Sequence, residues 1–309
     1  MPAYIPISVI LLAVSTLLGY RQWHMKRQLA LMTARVEEIR AGAINQRVRL
    51  PSSSSVLIEL GGSINRLIDD LQQNMEKLNL LESERKKMIT HLSHDLRTPL
   101  TAIMGYVEVM QRDQTLTEDI RQQYFRIIAA KGNKLDALVR DFFELSKLEA
   151  DEDAPEPEKL NIVEKIQESV LSFYQQFQLA GLTPQLEFPE RHVYVWGNRQ
   201  SIERIMNNLL SNALRYGANG ETIGIRVREA EARVWVDVWD CGQGISETDL
   251  PHVFERLYTG KASRNASQQG NGLGLTIVKK LVEKQRGEIQ ASSIPNERTV
   301  FSFYLPRAT

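Results

Sequence analysis

The feature that most constrains the fold of this chain is a proline inside the pattern of a long helix. Around residues 91–106, apolar residues recur at helical spacing: Leu78, Leu81, Met88 and Leu92 before the segment, and Ile103, Val107 and Met110 after it. Pro99 removes one helix hydrogen bond and clashes with the carbonyl group of Asp95. We therefore expect a kink just after His94 that turns this histidine outward, onto the solvated side of the helix.

His94 is followed directly by Asp95, and Thr98 lies one helical turn further on. A neutral imidazole has one nitrogen free to attack, while a neighbouring carboxylate can hold the other N–H and stabilise the imidazolium that develops. An exposed histidine beside an aspartate is also common on ordinary helices. The whole string from His94 to Leu100, His-Asp-Leu-Arg-Thr-Pro-Leu, resembles without a gap the H-box of sensor histidine kinases.

Length and composition limit the classes of protein that the chain can belong to. Its 309 residues give room for two or three folded units. Lys+Arg and Asp+Glu balance at 38 each, so no global field attracts nucleic acid, which we do not expect as a partner. The single cysteine, Cys241, excludes an intrachain disulfide framework and a cysteine-based zinc site.

The amino-terminal segment predicts a membrane anchor. Residues 4–20 are uncharged and mostly apolar, which is just long enough to span a bilayer, and residues 1–3 would form a short external tip. The basic residues Arg21, Lys26 and Arg27 follow at once, which places the rest of the chain in the cytoplasm. A cleaved signal peptide is the alternative, but no basic region precedes the apolar run. We expect a single pass through the cell membrane, in contact with lipid.

Residues 21–76 predict a helical relay. An apolar stripe marks a first helix over about 28–40, residues 47–55 have the composition of a loop, and a second amphipathic stretch covers 57–71. Two short helices joined by an extended linker resemble a HAMP relay. The acidic pair that usually opens the second helix is replaced here by Ser55 and Val56, and the first helix lacks its usual proline, so a plain helical stalk is the alternative.

Residues 77–150 predict a helical hairpin. One long helix covers about 78–113, Thr115 and Glu118 have the spacing of a capping box, and apolar residues from Ile120 to Leu148 mark a second helix. Each helix of about 30 residues would be about 45 Å long. Because one hairpin leaves part of each apolar stripe in water, we expect two copies to pair as a four-helix bundle in a homodimer.

An acidic, proline-containing stretch over 151–158 predicts a linker, and a mixed α+β sandwich follows over 159–309. Helices are expected over 162–177 and 201–216 and after the glycine-rich run at 270–274. Short strands are expected over 185–188 and 193–196, a hairpin over 222–228 and 233–240, and a closing strand over 299–305.

Three polar clusters in this part suggest a nucleotide site. Asn208 and Asn212 share one helix face, where amide oxygens can coordinate a hard cation, and Arg215 and Tyr216 continue that face. Two asparagines on a helix are unremarkable by themselves. Asp240 ends a strand and can accept the exocyclic amine of adenine. Gly242 and Gly244 follow it and let the backbone approach a base, although a hairpin end is the ordinary interpretation.

The third cluster is the glycine-rich run before the last helix. Gly270, Gly272 and Gly274, with Leu273 between the last two, free successive amides to point at oxyanions at a helix N-terminus. A dinucleotide-binding turn is the rival interpretation, but no strand precedes the run. Residues 261–269 are polar and suited to a lid over the site.

In this order the clusters resemble the N, G1 and G2 boxes of the ATPase fold that histidine kinases share with DNA gyrase, and residues 254–258 resemble the F-box. The resemblance covers roughly residues 78–306. It implies that Asn212 is the Mg²⁺ ligand with Asn208 as its companion, that Asp240 contacts adenine, and that 270–274 holds the triphosphate. It also implies that His94 is the phosphoacceptor, Asp95 its base or orienter, and Thr98 a residue that positions water during dephosphorylation.

The expected function is a membrane-anchored sensor histidine kinase that uses ATP and Mg²⁺ and passes the phosphoryl group to a cognate response regulator. An ATP-hydrolysing clamp of the gyrase kind is less suitable, because Asn208 stands where those proteins have a catalytic glutamate. A non-enzymatic scaffold would require a damaged site. Cys241 lies between Asp240 and Gly242, and we interpret it as a small spacer rather than as a redox switch. A membrane partner could supply the signal, but the stimulus and the controlled genes are not encoded in these motifs.

Overall fold

The structure is a computed structural model that describes residues 4–41, 47, 55–113, 115–150, 156–217, 220, 222–259 and 272–308, with side chains from residue 9 onward. The chain divides into two compact units, residues 1–87 and 88–309. Among the described residues, no helix has both the length and the apolar character needed to cross a membrane. The membrane-spanning helix predicted over 4–20 is therefore not confirmed.

The first unit consists of helix α1, Tyr4–Arg40, and the beginning of helix α2, Ser55–Arg112. Met32 of α1 and Leu57 of α2 are buried together, with Ile39 and Ile64 packed against them. The loop predicted over 47–55 lies mostly outside the described residues; Arg47 is described and donates a hydrogen bond to Gln72 at 2.7 Å.

Two predictions about helix boundaries in this region are wrong. The helices predicted over 4–20 and about 28–40 form one continuous helix, α1, and the stretch predicted as a separate second helix continues into the next one, giving 58 residues in α2. Residues 72–77 contain no glycine or proline, so nothing in the backbone ends the helix between the two apolar stripes.

Helix α2 continues through Pro99 to Arg112. The proline removes one backbone hydrogen bond without ending the helix, and the kink itself stays a prediction. Helix α3, Glu118–Glu149, follows as the sequence predicts. The rings of Tyr106 and Tyr124 contact each other near the closed end of the hairpin, tilted by 53° with their centroids 5.0 Å apart.

The capping box predicted at Thr115 is wrong. The residue at the N-cap of α3 is Thr117, and it makes no side-chain capping bond. Thr115 instead donates from its backbone N–H and its hydroxyl to Oδ1 of Asp113, at 2.9 and 2.6 Å. These two bonds lower the pKa of the Asp113 carboxyl. The Thr115 hydroxyl is therefore used in a turn with Asp113 after α2 and does not cap α3.

The remainder of the second unit is a mixed α+β domain. Its helices are α4 Ile162–Ser172, α5 Tyr174–Leu179, α6 Arg199–Gly217 and α7 Gly274–Lys284, with a 3₁₀ turn at Leu250–His252. Its strands are β1 Glu158–Asn161, β2 Gln185–Glu187, β3 Tyr194–Gly197, β4 Ile223–Ala230, β5 Arg233–Asp240, β6 Glu288–Ile294 and β7 Arg298–Pro306.

The strands form a five-stranded sheet in the order β2-β4-β5-β7-β6 and a two-stranded sheet of β1 with β3. The β4–β5 hairpin is confirmed, and it is antiparallel with Ile223 opposite Asp240. Strand β2 pairs with β4 in parallel. Helices α6 and α7 pack against each other and against this sheet, so the fold is the two-layer sandwich that the sequence predicts.

Three details of this domain differ from the prediction. The helix expected over 162–177 is interrupted at Phe173. Strand β1 was not predicted, and it begins at the last residue of the predicted linker, of which residues 151–155 lie outside the described residues. Strand β6 was not predicted, because only Ile289 and Ala291 mark its inner face as apolar, and three of its seven residues are Gln or Ser.

Candidate nucleotide and phosphoacceptor sites

A cavity of about 760 Å³ opens between α6, the end of β5, the start of α7 and helix α3. Six of the residues predicted for the nucleotide site line it on α6 and the sheet side, and two more lie at the start of α7. They are Asn208, Asn212, Arg215, Tyr216, Asp240 and Gly244, followed by Gly272 and Gly274. Gly242 and Leu273 lie beside the cavity without lining it, and Gly270 lies outside the described residues.

The α6 face carries amide oxygens and the guanidinium groups of Arg204 and Arg215. The Nδ2 group of Asn208 donates to the carbonyl oxygen of Arg204 at 2.9 Å, one turn back. Its Oδ1 atom faces Gly274, where an added Cβ would lie only 2.6 Å away. The side chains of Asn212 and Arg215 have no hydrogen bond or ion pair with another residue of the described part of the chain. The face can therefore offer amide oxygens and a guanidinium to a ligand.

Asp240 is a buried carboxyl group, with 5% of its surface exposed, at the end of β5. The backbone N–H of Gly242 donates to its Oδ1 at 3.0 Å. Burial raises the pKa of Asp240, and the bond from Gly242 opposes that rise. Gly242 fits because its Cα lies against the chain at Tyr216, where a Cβ would come 2.2 Å from the carbonyl oxygen. The result is a buried acceptor held at the cavity wall.

The glycine turn before α7 is set by close backbone contacts. Gly272 has φ +66°, and its carbonyl oxygen accepts the N–H of Leu257 at 2.9 Å. Leu273 is buried and occupies the N-cap position of α7, and Gly274 begins that helix. Gly244 has φ +77° and packs against Pro295. The N-terminus of α7 thus points its amides at the cavity, where an anion is favoured.

Sequence reasoning missed several residues of this cavity. Asn207, Ser211 and Arg204 share the α6 face with the predicted asparagines, and helical spacing could have found them. The Oδ1 atom of Asn207 is buried without a hydrogen-bond partner among the described residues. Asp249, which accepts a 2.6 Å bond from the hydroxyl of Tyr258, is brought in by a loop. That bond raises the pKa of Tyr258.

The phosphoacceptor candidate lies on α2. The side chain of His94 is 77% exposed, as the sequence predicts, and its Nδ1 lies 3.3 Å from Oδ1 of Asp95. When the proton is on Nδ1, this N–H donates to Asp95 and the lone pair of Nε2 faces outward. The hydroxyl of Thr98 donates to the carbonyl oxygen of His94 at 3.2 Å. The three predicted residues therefore form one local group.

Comparison with known proteins adds independent information. A family model described as "Histidine kinase-, DNA gyrase B-, and HSP90-like ATPase" matches residues 197–309. A second, "His Kinase A (phospho-acceptor) domain", matches residues 84–151. Sensor histidine kinase YcbM of Bacillus subtilis is 39% identical over 263 residues, which is 85% of each chain. Sensor histidine kinase WalK of the same organism is 30% identical over 254 residues, or 82% of this chain and 41% of WalK.

Solved structures support the same fold. The histidine kinase AdeS of Acinetobacter baumannii is 23% identical, with a TM-score of 0.57 over 70% of this chain and 98% of that one. The histidine kinase ThkA, solved in complex with the response regulator protein TrrA, is 23% identical with a TM-score of 0.60 over 78% of this chain and 66% of that one.

With this identity to YcbM over most of both chains, the protein belongs to the sensor histidine kinases. It combines a phosphoacceptor helical region with an ATP-binding domain, and it is therefore a protein-histidine kinase of two-component signalling.

Proposed function

We propose that His94 is the phosphoacceptor and that the cavity beside α6 and α7 binds the ATP from which the phosphoryl group comes. The observation that carries the proposal is that an exposed imidazole, oriented by Asp95, lies in the same compact unit as this cavity.

The transfer follows from these groups. Nε2 of His94 attacks the γ-phosphorus of ATP, an N–P bond forms, the bond from phosphorus to the bridging oxygen breaks, and ADP leaves. Positive charge develops on the imidazole, and the Nδ1–H bond to Asp95 stabilises it. The transfer relies mainly on positioning and charge neutralisation, which suits a cavity of backbone amides with Arg215 on its rim.

We assign the predicted groups of the cavity to the adenine, the triphosphate and the metal ion of Mg-ATP. The buried Asp240 has a carboxylate oxygen left to accept the amine of adenine, and Tyr216 lies on the same side. The amides at the start of α7 face the triphosphate, with Gly270 as part of the same run. Mg²⁺ fits the amide oxygens of Asn208 and Asn212, because carbonyl-type oxygens are the ligands it prefers. When bound, Mg²⁺ neutralises phosphate charge; Asn208 and Asn212 would hold it.

The partners are a second copy of the chain and a response regulator. The hairpin of α2 and α3 leaves large apolar side chains exposed, which supports pairing into a four-helix bundle; among them are Leu100, Met104, Phe125 and Phe143. ThkA, which shares the fold, was solved with a response regulator protein. We propose that an aspartate of the cognate regulator receives the phosphoryl group from His94. Thr98 would position the water when the same protein dephosphorylates that regulator.

Membrane attachment and a HAMP relay are finer parts of the proposal that rest on sequence. Residues 4–20 are uncharged and Arg21 follows them. The buried contact between Met32 and Leu57 supports a helical relay over 21–76. Fractionation of cells with an alkaline carbonate wash tests the anchor: a chain that leaves the membrane pellet in the wash is not spanning.

The test of the phosphoacceptor is labelling with γ-³²P-ATP. Wild type should incorporate phosphate in a bond that is labile in acid and stable in base, and His94→Gln should incorporate none. His91→Gln is the matched control, because His91 is also exposed and lies one turn earlier on α2. Full labelling of His94→Gln, or loss of labelling in His91→Gln alone, would move the phosphoacceptor elsewhere.

A further inference from the structure

The carboxyl-terminal half of α3 is held against the ATP-binding domain by ion pairs on either side of a buried leucine. Leu145 is fully buried in the core of that domain. The guanidinium of Arg204, on α6, donates through Nη2 to Oδ1 of Asp141 at 2.5 Å and through Nε to Oε2 of Glu144 at 2.8 Å. Beyond Leu145, Arg256 pairs with Glu149 at 2.8 Å.

The pairs of Arg204 are better shielded from solvent than the ion pair between Arg140 and Asp136 within α3. The side chains of Arg204, Asp141 and Glu144 are 35%, 17% and 29% exposed, whereas Arg140 and Asp136 on the same helix are 76% and 58% exposed. Burial raises the pKa of Glu144, partly against the pull of Arg204. A guanidinium shared by two half-buried carboxylates is a stronger contact than a typical surface ion pair.

This contact also forms part of the nucleotide cavity. Arg204 and Asp141 line it together with Asn208 and Asn212. Arg204 lies one helical turn before Asn208, whose amide donates to its carbonyl oxygen. One guanidinium between two carboxylates carries a net negative charge when all three are ionised. A triphosphate in this cavity is therefore attracted to Arg204 and repelled by Asp141 and Glu144.

We propose that Arg204, Asp141 and Glu144 form a latch that holds the ATP-binding domain on α3, and that ATP loosens it by competing for the guanidinium of Arg204. This inference rests on the proposed ATP site. Because coupling between two equilibria is reciprocal, a latch that ATP weakens must itself weaken ATP binding. Removing the latch carboxylates should therefore tighten nucleotide binding and free the domain to reach His94.

The decisive variant is Asp141→Asn combined with Glu144→Gln in the full chain. It keeps side-chain size and leaves Arg204 in place. The affinity for a non-hydrolysable ATP analogue, measured by calorimetry, should rise at least about five-fold, the lower end of typical coupling between sites. The initial rate of autophosphorylation at saturating ATP should also rise. Asp136→Asn is the matched control, because it removes a carboxylate from the same helix outside the cavity; it should change neither quantity.

Hydrogen exchange gives a second measurement that does not depend on activity. In wild type, the analogue should increase amide exchange over residues 136–146, and the double variant should show the increase without nucleotide. The latch would be overturned if the double variant bound the analogue no more tightly than wild type does. It would also be overturned if amide exchange over 136–146 changed neither with nucleotide nor with the mutations. A wild type that binds no analogue would instead remove the ATP site on which the latch depends.

Discussion

At the residue scale, Asp240 is subject to two opposing requirements. Its carboxylate is useful to a ligand only when ionised, yet burial makes the ionised form costly and raises its pKa. Because the pKa is higher in the folded chain than in the unfolded one, the folded state loses stability as the pH rises through the raised value. Below the ordinary pKa of an aspartate both states are protonated, and this effect vanishes.

Asp240→Asn should therefore make the protein more stable at neutral pH and poorer at binding ATP. The melting temperature of the variant should exceed that of wild type at pH 7, and the two should converge as the pH falls below about 4. Loss of a hydrogen bond to a charged group, about 1.5–3 kcal/mol, predicts a nucleotide affinity at least about ten-fold weaker. Thermal melts across pH, with calorimetric titration, measure both. If the variant were less stable than wild type at pH 7, burial of the ionised Asp240 would not be a net cost to the folded state.

Thr98 offers a separation of two activities. Its hydroxyl contacts the backbone of His94 rather than the ring, so the attack by Nε2 does not depend on it. Thr98→Ala leaves Pro99 in place and should autophosphorylate within about two-fold of wild type, while clearing a phosphorylated regulator at least about ten-fold more slowly, as the loss of a water-positioning group predicts. The assay uses the purified cognate regulator with ADP present. Equal clearance by both proteins would place phosphatase chemistry on another group.

The site residues that the sequence identifies are those with a local signature. Asn208 and Asn212 repeat at one helical turn, and Asp240 precedes two glycines at the end of a strand. Asp141 and Glu144 have no such signature, because they come to the cavity only when α3 packs against α6. A helix surface carries many carboxylates, and only tertiary packing selects these two.

At the scale of elements, the end of α6 fits against the end of β5 through a glycine. A Cβ added to Gly217 would lie 2.2 Å from Cβ of Asp240 and 2.8 Å from its Oδ1. Neither atom can move without shifting β5 or the carboxylate, so the helix and the strand approach this closely only with glycine. The contact sets where Asp240 lies relative to the α6 face.

Gly217→Ala should therefore displace Asp240 and weaken nucleotide binding by at least about ten-fold, with a loss of stability of roughly 1–3 kcal/mol from overpacking. Gly132→Ala is the matched control. Gly132 lies within α3 with open space around it, and alanine there should raise stability by about 0.5–1 kcal/mol. Denaturant unfolding and nucleotide titration measure both variants. A Gly217→Ala protein that binds ATP normally would show that the strand adjusts freely.

Element boundaries were predictable where a breaker or a clear period marks them. The β4–β5 hairpin and α3 are correct, since alternation and helical spacing are unambiguous there. The continuity of α2 was not predictable, because the apolar stripe is interrupted over residues 72–77 although the backbone stays helical there. The choice between Thr115 and Thr117 at the start of α3 depended on Asp113, whose turn satisfies Thr115 first.

At the scale of the whole molecule, the sequence predicts the order of the helical and α+β parts, and the family comparisons agree with it. The packing of α3 onto α6 and α7 was not predictable. Leu145 belongs to the same apolar stripe as the rest of α3, and nothing local distinguishes a residue buried by the ATP-binding domain from one buried by a second helix.

Most of the apolar side chains on the hairpin of α2 and α3 are not buried within a single copy of the chain. Among its described apolar residues from Met88 to Leu148, only Met88, Pro99, Leu138 and Leu145 are buried. Leu100, Met104 and Val107 follow each other at four- and three-residue spacing on α2 and are 48%, 65% and 39% exposed. A stripe of this kind is the seam of a bundle that two copies complete.

The full chain should therefore be a dimer, and introducing negative charge on this stripe should dissociate it. Leu100→Glu with Met104→Glu removes apolar contacts worth roughly 1.5–3 kcal/mol per buried side chain, so the dimer Kd should rise at least about 100-fold. Both positions are exposed in the single hairpin, so each protomer should keep its fold by circular dichroism. Thr101→Glu places one such charge on a different, also exposed face of that turn and should leave the dimer intact. Sedimentation velocity over a concentration series measures all three proteins. If the double variant stays dimeric while wild type is dimeric, the copies meet through another surface, and the exposed stripe on α2 needs a different partner.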